Sequence, residues 1–266
     1  MAWQKLAYGV ERSCSSYRLK LARYPALAET VAQYVQQRPA TPGRRGVDLL
    51  DVGSGYGRSM RYIRSQVEPE DVRFHGVDLF PGGQHRVYQH QDWKLYEHSL
   101  EEGLPMFDSD RFDVVICEQV LEHLHNAQFV ASELVRVLRP DGILIAGVPI
   151  FPGGVHLLRR HAVPVLDRVI KPRRPRNHVQ AFSMRSFLKM LDEAGPLEIN
   201  DVRGFRIVSG GLLRPLEDFR WWWRLNRYIG VKAPSLCIET QVVATKLRAS
   251  LAMPSGTPRQ PVRKAA

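Results

Sequence analysis

Cysteine is scarce in this chain: Cys14, Cys117 and Cys237 are the three in 266 residues, far apart and without a Cys-x-x-Cys pair. That usage fits a reducing compartment and excludes a disulfide framework or a zinc ribbon. A long hydrophobic run is missing as well. The longest uncharged stretch, 142–158, is interrupted by Pro149, Pro152, Gly153 and Gly154, whereas a membrane-spanning helix needs about 20 apolar residues. It reads as a buried strand running into a loop. Glu11 and Arg12 arrive before any apolar run could form at the N-terminus, so no signal peptide is expected, and the expected location is cytoplasmic. Acid is also in short supply, with 27 Asp and Glu against 38 Lys and Arg and a net charge of +11.

The excess of cations is uneven. Arg159, Arg160, Arg168, Lys171, Arg173, Arg174 and Arg176 face a single Asp167. This run reads either as a solvated surface or as a docking face for something anionic: a phospholipid surface, a phosphorylated substrate or nucleic acid. The same segment places Leu158, Ala162, Leu166, Val169 and Ile170 near one helical face, interrupted by Pro164. A basic amphipathic lid of that kind would either cap its own domain or lie on an anionic membrane and admit a lipid-like acceptor. A location peripheral to the membrane is the second expectation.

What is present is an ordinary globular composition, 44% hydrophobic and 24% charged, in a length that fits one large α/β domain or two small ones. From residue 47 onward strand-like and helix-like segments alternate. Strands are predicted at Val47–Val52, Val72–Val77, Lys94–Tyr96, Phe112–Cys117, Ile143–Val148, Leu197–Val202 and Leu236–Thr245. Helices are predicted at Tyr24–Gln37, Tyr56–Ser65 and Ala127–Leu138, with another running from an N-cap at Ser183 to a stop at Gly195. Such alternation gives a parallel sheet with helices on both sides, an α/β doubly wound fold. The expected organisation is covering helices and a linker over 1–46, the α/β domain over 47–247 with a basic insertion at 150–177 and a variable region at 205–235, and a disordered tail over 248–266. Within the variable region, Trp221-Trp222-Trp223 cannot all face one side of a helix. Some are expected to contact substrate or a subunit partner, and at least one is expected in the core.

The most informative segment is Val47-Asp-Leu-Leu-Asp-Val-Gly-Ser-Gly-Tyr-Gly57, a strand ending in a glycine turn that opens a helix. Gly53, Gly55 and Gly57 allow a tight turn and let a ligand approach the main chain without Cβ obstruction. A dinucleotide loop of the Gly-x-Gly-x-x-Gly type would place glycine at position 58, where this chain has Arg58. Asp51 lies at the strand end. A second acid, Asp78, closes Phe-His-Gly-Val-Asp on the next strand, where a carboxylate can accept both ribose hydroxyls of a nucleoside.

With these residues the sequence resembles the class I S-adenosylmethionine (SAM) dependent methyltransferase superfamily, in the style of its methyltransferase type 11 branch, over roughly residues 45–200. Leu50-Asp-Val-Gly-Ser-Gly-Tyr-Gly57 is similar to the first motif of that family. Asp78, with Leu79 beside it, corresponds to the ribose-binding acid. Ser99-Leu100 and the residues that follow, to Pro105, resemble the stretch lining the adenine, with Ser99 where the family often has Asp. Glu118-Gln-Val-Leu-Glu-His123 corresponds to the segment after the fourth strand, and Leu138-Arg-Pro-Asp-Gly-Ile-Leu144 to the turn into the fifth. The resemblance implies a seven-stranded, mainly parallel Rossmann-like sheet with the last strand antiparallel. It implies SAM as cofactor, held by Asp51, Gly53, Ser54, Gly55, Tyr56, Gly57, Asp78, Leu79, Ser99, Leu100 and Glu118.

SAM brings a methyl group already activated by its sulfonium, so the protein must align a nucleophile and exclude water. A hydroxyl acceptor also needs a base. His123 is the best-placed candidate, Glu118 shares its segment, and His178, in Asn177-His178-Val-Gln-Ala-Phe182, resembles a family position that faces the substrate pocket. A helix histidine packed in the core is the alternative for His123. Ubiquinone-biosynthesis O-methyltransferases and small-RNA 2′-O-methyltransferases carry Glu-x-x-Glu-His here and use it with a divalent metal. This chain has Gln119-Val-Leu-Glu122-His123, which lacks a charge that a hard cation prefers, so no metal is expected. The expected function is methyl transfer to a small-molecule acceptor such as a lipid-linked or glycan hydroxyl. The alternatives are RNA methylation, for which no RNA-binding module is visible, a non-catalytic SAM- or nucleotide-binding protein, and an NAD-dependent oxidoreductase, against which Arg58 argues.

Overall fold

The computed structural model describes residues 21–38, 46–55, 57–79, 93–150, 179–207, 216 and 219–248. Tyr56, His178, the basic segment 159–176 and the C-terminal tail lie outside these, and so does Cys14. The described residues form α1 (Arg23–Gln37), β1 (Val47–Val52), α2 (Arg58–Arg64), β2 (Val72–Asp78), β3 (Trp93–Glu97), β4 (Phe112–Glu118), α3 (Ala127–Val137), β5 (Leu138–Pro149), α4 (Met184–Ala194), β6 (Leu197–Phe205), α5 (Arg220–Lys232) and β7 (Glu239–Lys246).

The strands make one seven-stranded sheet in the order β3-β2-β1-β4-β5-β7-β6. All pairings from β3 to β5 are parallel, and β7 runs antiparallel to both β5 and β6. This is the Rossmann-like class I methyltransferase topology. β1 and β4 are buried along their whole length, as strands covered on both faces must be. Because neighbouring side chains point to opposite faces, Leu49 and Leu50 enter different cores. Leu49 packs with Phe74, Ile116 and Ile145 against Leu27 and Val31 of α1 and Met60 and Ile63 of α2. Leu50 packs with Val115 and Leu144 against Val130 and Leu134 of α3 and Phe187 and Leu191 of α4. The order reverses between β1 and β4, and the carboxyl ends of strands at such a switch point form a natural crevice.

Capping chemistry fixes the helices that flank this crevice. The Asn126 side chain accepts from the Phe129 amide at the start of α3. Ser183 and Ser186 form a reciprocal capping box at the start of α4, and Gly195 ends it. The chain leaves the sheet at Ile150 and returns at Phe182, and these two residues form a parallel bridge. Residues 151–178, which make up most of the expected 150–177 insertion, lie outside those described.

Several element ends differ from the sequence reading, among them the starts of β5 and β7, and the variable region holds a helix. β5 begins at Leu138 rather than Ile143, because Leu138 pairs with Phe112 across an irregularity in the ladder. Pro234–Leu236 is a 3₁₀ turn, so β7 starts at Glu239. The variable region contains the helix α5, and none of its three tryptophans reaches the core: Trp221 is exposed and the other two are half-buried. The inner positions of α5 are held by Asn226 and Gly230. A Cβ at Gly230 would stand 2.1 Å from the Gly204 carbonyl oxygen, and a backbone approach that close leaves no room for an indole.

Candidate cofactor and active site

The glycine turn after β1 is built by main-chain geometry. Gly53, Gly55 and Gly57 all have positive φ, and a Cβ at Gly53 would meet Val120 at 2.1 Å. Gly53 and Ser54 donate their amides to the Val77 carbonyl, at 2.8 and 3.3 Å, so the turn is bound to the end of β2. There Asp78 accepts from the Gly55 amide at 2.7 Å with one carboxylate oxygen and from the Leu79 amide at 2.7 Å with the other. Among the described residues the space above Gly55 is open, since a Cβ built there would meet nothing closer than the Asp78 carboxylate at 4.0 Å. The backbone there is bare and edged by a fixed acceptor. The His98 amide donates to the Asp78 carbonyl, which brings Ser99 and Leu100 to the same rim.

Beneath the turn sits Asp51, 1% exposed, with a carboxylate oxygen that has no partner. Burial pushes its carboxyl up to about 7; a Ser59 hydrogen bond offsets part of this, while Glu118 and Asp78 add to it. The Ser54 hydroxyl is likewise buried without a partner. Buried polar atoms are ordinarily satisfied, and unsatisfied ones beneath a backbone cradle suit a polar, cationic ligand. A nucleoside with a positively charged amino-acid tail, which is what SAM is, fits these donors and acceptors.

The carboxyl end of β4 supplies the other wall. Glu118 is buried, ion-paired with Arg23 of α1 at 3.3 Å and hydrogen-bonded by Gln241 of β7 at 2.7 Å. Burial lifts its carboxyl to about 7 against the opposing pull of Arg23. Gly147 makes room for it, since a Cβ there would lie 2.5 Å from the Glu118 carboxylate. Arg23 also reaches Glu239 at 3.3 Å, and Glu239 is ion-paired with Arg206. Gln119 follows with φ 59, a left-handed conformation for a non-glycine residue, and its side-chain amide nitrogen is buried without a partner. Strain of this kind concentrates at ligand sites.

Next come Glu122, whose carboxyl burial raises to about 7, and His123 on the same 3₁₀ turn. The His123 side chain is 41% exposed, with Nε2 3.8 Å from a Glu122 carboxylate oxygen. The Glu122 carbonyl accepts from the Val179 and Gln180 amides, both at 2.9 Å. The residues that immediately follow His178 are thus pinned beside His123.

The described sequence-predicted residues Asp51, Gly53, Ser54, Gly55, Gly57, Asp78, Leu79, Ser99, Leu100, Glu118 and His123 therefore gather at the carboxyl ends of β1 to β4. Tyr56 and His178 are outside the described residues. Sequence reasoning missed Arg23, Gln241 and Glu239. The available signal was the pair of polar residues Glu239 and Gln241 leading into the apolar run Val242-Val243-Ala244. A separate depression of about 290 Å³ between the starts of α3 and α4, edged by Gln128, Gln180 and Lys189, includes none of the site residues. Among the described residues no group of three or more His, Cys, Asp or Glu is arranged to hold a metal ion, and no helix is long and apolar enough to cross a membrane.

The comparisons with known proteins agree with this geometry. Residues 50–146 match the model of a methyltransferase domain family. An uncharacterized methyltransferase of Mycolicibacterium vanbaalenii is 30% identical over 135 residues, covering 49% of this chain and 51% of the relative. The ubiquinone biosynthesis O-methyltransferase of Psychrobacter cryohalolentis is 27% identical over 115 residues, covering 41% and 43%. The chain thus spans about half the length, or less, of these curated relatives. In fold, it is similar to the Burkholderia thailandensis 1,6-didemethyltoxoflavin-N1-methyltransferase, solved with S-adenosylhomocysteine: TM-score 0.51, 15% identity, covering 85% of this chain and 78% of that one. The chain has the class I SAM-dependent methyltransferase fold, a strand–glycine-turn–helix edged by Asp78 in this strand order, and its residues 50–146 form a domain of the matching methyltransferase family.

Proposed function

We propose that the protein transfers a methyl group from SAM to a small-molecule acceptor, a hydroxyl on a lipid-linked or glycan compound. The observation that carries the cofactor assignment is the open cradle over Gly55, edged by the fixed Asp78 carboxylate and floored by the unpartnered oxygen of Asp51. SAM supplies the activated methyl. Asp78 holds the ribose, the glycine turn admits the ligand against the backbone, and Asp51 and Glu118 present negative potential toward a cationic ligand. Ser99 and Leu100, which share the Asp78 rim, line the adenine side.

A hydroxyl acceptor needs its proton taken, and His123 stands at the rim with water access and with Glu122 close enough to orient its ring. His178 is assigned to the acceptor side of the pocket with it. A hydroxyl is favoured as the acceptor because the ubiquinone biosynthesis relative is an O-methyltransferase by name. Gln119 stands where the metal-using relatives carry Glu, and its neutral amide is a poorer ligand for a hard cation, which favours acid–base over metal-assisted chemistry.

Calorimetric titration tests this directly. SAM should bind saturably and NADH should not. Asp78→Ala should weaken SAM by roughly tenfold to a hundredfold, the loss expected for a charged hydrogen-bonding group. No saturable SAM binding would overturn the reading. Once an acceptor is found, His123→Ala should lower kcat by about a hundredfold with SAM affinity unchanged. An equal loss of both would remove His123 as the base.

A further inference from the structure

A surface helix of a globular protein turns its apolar residues inward and its charges outward. α5 does the reverse. Its two buried residues are Asn226 and Gly230. Asn226 accepts from the Ile207 amide at 2.9 Å and donates to the Trp222 carbonyl at 2.9 Å, and Gly230 lies against the Gly204 carbonyl beside β6. The helix is therefore fastened by a polar residue and a glycine; Trp222, Trp223 and Ile229 are half-buried, while Trp221, Leu225, Tyr228 and Val231 are exposed to water. Trp221, Leu225 and Tyr228, spaced to share one face of a helix, are 53%, 38% and 64% exposed. Phe219 and Leu236, just beyond the helix ends, are 52% and 55% exposed.

The charges of α5 carry a single sign. Arg220, Arg224 and Arg227 are exposed along one flank of the apolar stripe, Lys232 is exposed at its end, and no acid occurs within Arg220–Lys232. Glu217 and Asp218 precede the helix in sequence.

We propose that α5 is an interfacial helix that docks the protein on an anionic lipid bilayer. Trp221, Leu225 and Tyr228 would enter the headgroup–acyl boundary, and the arginine flank would pair with anionic headgroups. Three features argue for this occupant. Charge complementarity requires an anionic partner. Tryptophan and tyrosine, apolar in body and polar at one edge, suit a membrane interface. An exposed amphipathic helix with an all-basic polar flank and an aromatic apolar edge has the composition of in-plane membrane helices. A nucleic-acid face would need the cations but leaves the exposed Leu225 unexplained. A second copy of the chain would bring the same cations against themselves. The proposal does not depend on the methyl-transfer reading, because it concerns a surface beside β6, at the opposite edge of the sheet from β3.

The test is co-flotation of the full chain with two vesicle preparations, one of phosphatidylcholine alone and one of phosphatidylcholine mixed with phosphatidylglycerol. Binding is expected to the mixed vesicles at low salt and to fall as salt is raised. The Arg220→Gln, Arg224→Gln, Arg227→Gln triple variant should bind about a hundredfold more weakly, each cation near the surface contributing roughly a factor of five. The Trp221→Ser, Leu225→Ser, Tyr228→Ser variant should also lose binding. Both should keep the wild-type circular dichroism and SAM affinity, because the replaced side chains are exposed and lie outside the cofactor site.

Absence of binding to mixed vesicles overturns the proposal. So does undiminished binding by both variants, which would assign the membrane contact to the basic segment 159–176 instead. Tight RNA binding without vesicle binding would assign the flank to nucleic acid. A dimer that the aromatic variant dissociates, without vesicle binding, would assign the face to self-association. Loss of SAM binding with vesicle binding intact would strike the proposed methyl transfer and leave α5 as a membrane element.

Discussion

Asp48 and Asp51 stand on the same strand, three positions apart and almost equally shielded from water, at 2% and 1% exposure. Asp48, at the amino end of β1, is ion-paired with Arg73 at 2.8 Å and Arg111 at 2.9 Å, and Arg139 stands 3.7 Å away. Burial alone would raise its carboxyl, but Arg73 and Arg111 outweigh burial and hold it at about 2. Asp51, at the carboxyl end, has a hydrogen bond from Ser59, an unpartnered oxygen and no cation among the causes of its shift, and it stands at about 7. One end of the sheet satisfies its buried charge and the other leaves it waiting. A protein folded for stability alone would treat both ends like the first. The unpartnered oxygen of Asp51 is what the proposed cationic ligand would complete.

The largest expected effect tests whether the cation at the carboxyl end is structural. Arg23→Met leaves Glu118 without its ion-pair partner and removes one of the two arginines on Glu239. Breaking a buried pair by removing one partner typically costs about 3–5 kcal/mol. Urea unfolding should show a loss of that order, and Arg23→Lys should recover part of it. A loss under about 1 kcal/mol would mean that water already solvates the pair.

Next in size is Asp51→Asn, which should have opposite effects on stability and binding. For a carboxyl raised from 3.8 to about 7, folding favours the protonated form. Its penalty is absent below about 4, grows as pH rises through 7, and is full above that. The asparagine has no such penalty, so the variant should be more stable than wild type by roughly 2–3 kcal/mol at slightly alkaline pH. The gap should close as pH falls toward about 4. SAM affinity should drop by about tenfold in the same variant, a trade of function for stability. Thermal scans across pH with calorimetry check both halves; a melting temperature that falls on substitution would contradict the unsatisfied state of Asp51.

How much of this was legible beforehand depended on the range of the interactions. β1, β4 and β5 announce themselves by local apolar runs, and the Gly53–Gly57 turn by its spacing, so the fold and the Asp51–Asp78 rim were readable from neighbours in sequence. Arg23 was not: it meets Glu239 across 216 positions, and nothing local distinguishes it from the other arginines of the chain. Gly147 looked like a strand glycine, and its purpose, space for Glu118, exists only once β4 and β5 pair. α5 was missed for a different reason. Trp221, Leu225, Tyr228 and Val231 are exposed to water, so the pattern that normally reveals a core-facing helix points to a face with no core behind it.

The smallest effect is the control that gives the comparison its meaning. Asp48→Asn removes the charge that Arg73, Arg111 and Arg139 share, while keeping a side chain of nearly the same shape. Because its carboxyl is held at about 2 rather than 3.8, Asp48 contributes stability that is present above about 4 and lost as pH falls through about 2. The side chains of Arg73 and Arg111 are 46% and 36% exposed, so water screens part of the attraction and the loss at neutral pH should be about 1–2 kcal/mol. SAM affinity should stay within about twofold of wild type, since a screened change at the far end of the strand reaches the cofactor crevice only weakly. Denaturation and calorimetry on this variant beside Asp51→Asn should therefore give mirror-image results, one destabilised with binding intact and the other stabilised with binding impaired. If Asp48→Asn also weakened SAM tenfold, the two ends of β1 would be coupled through the strand, and the division between a structural end and a ligand end would fail.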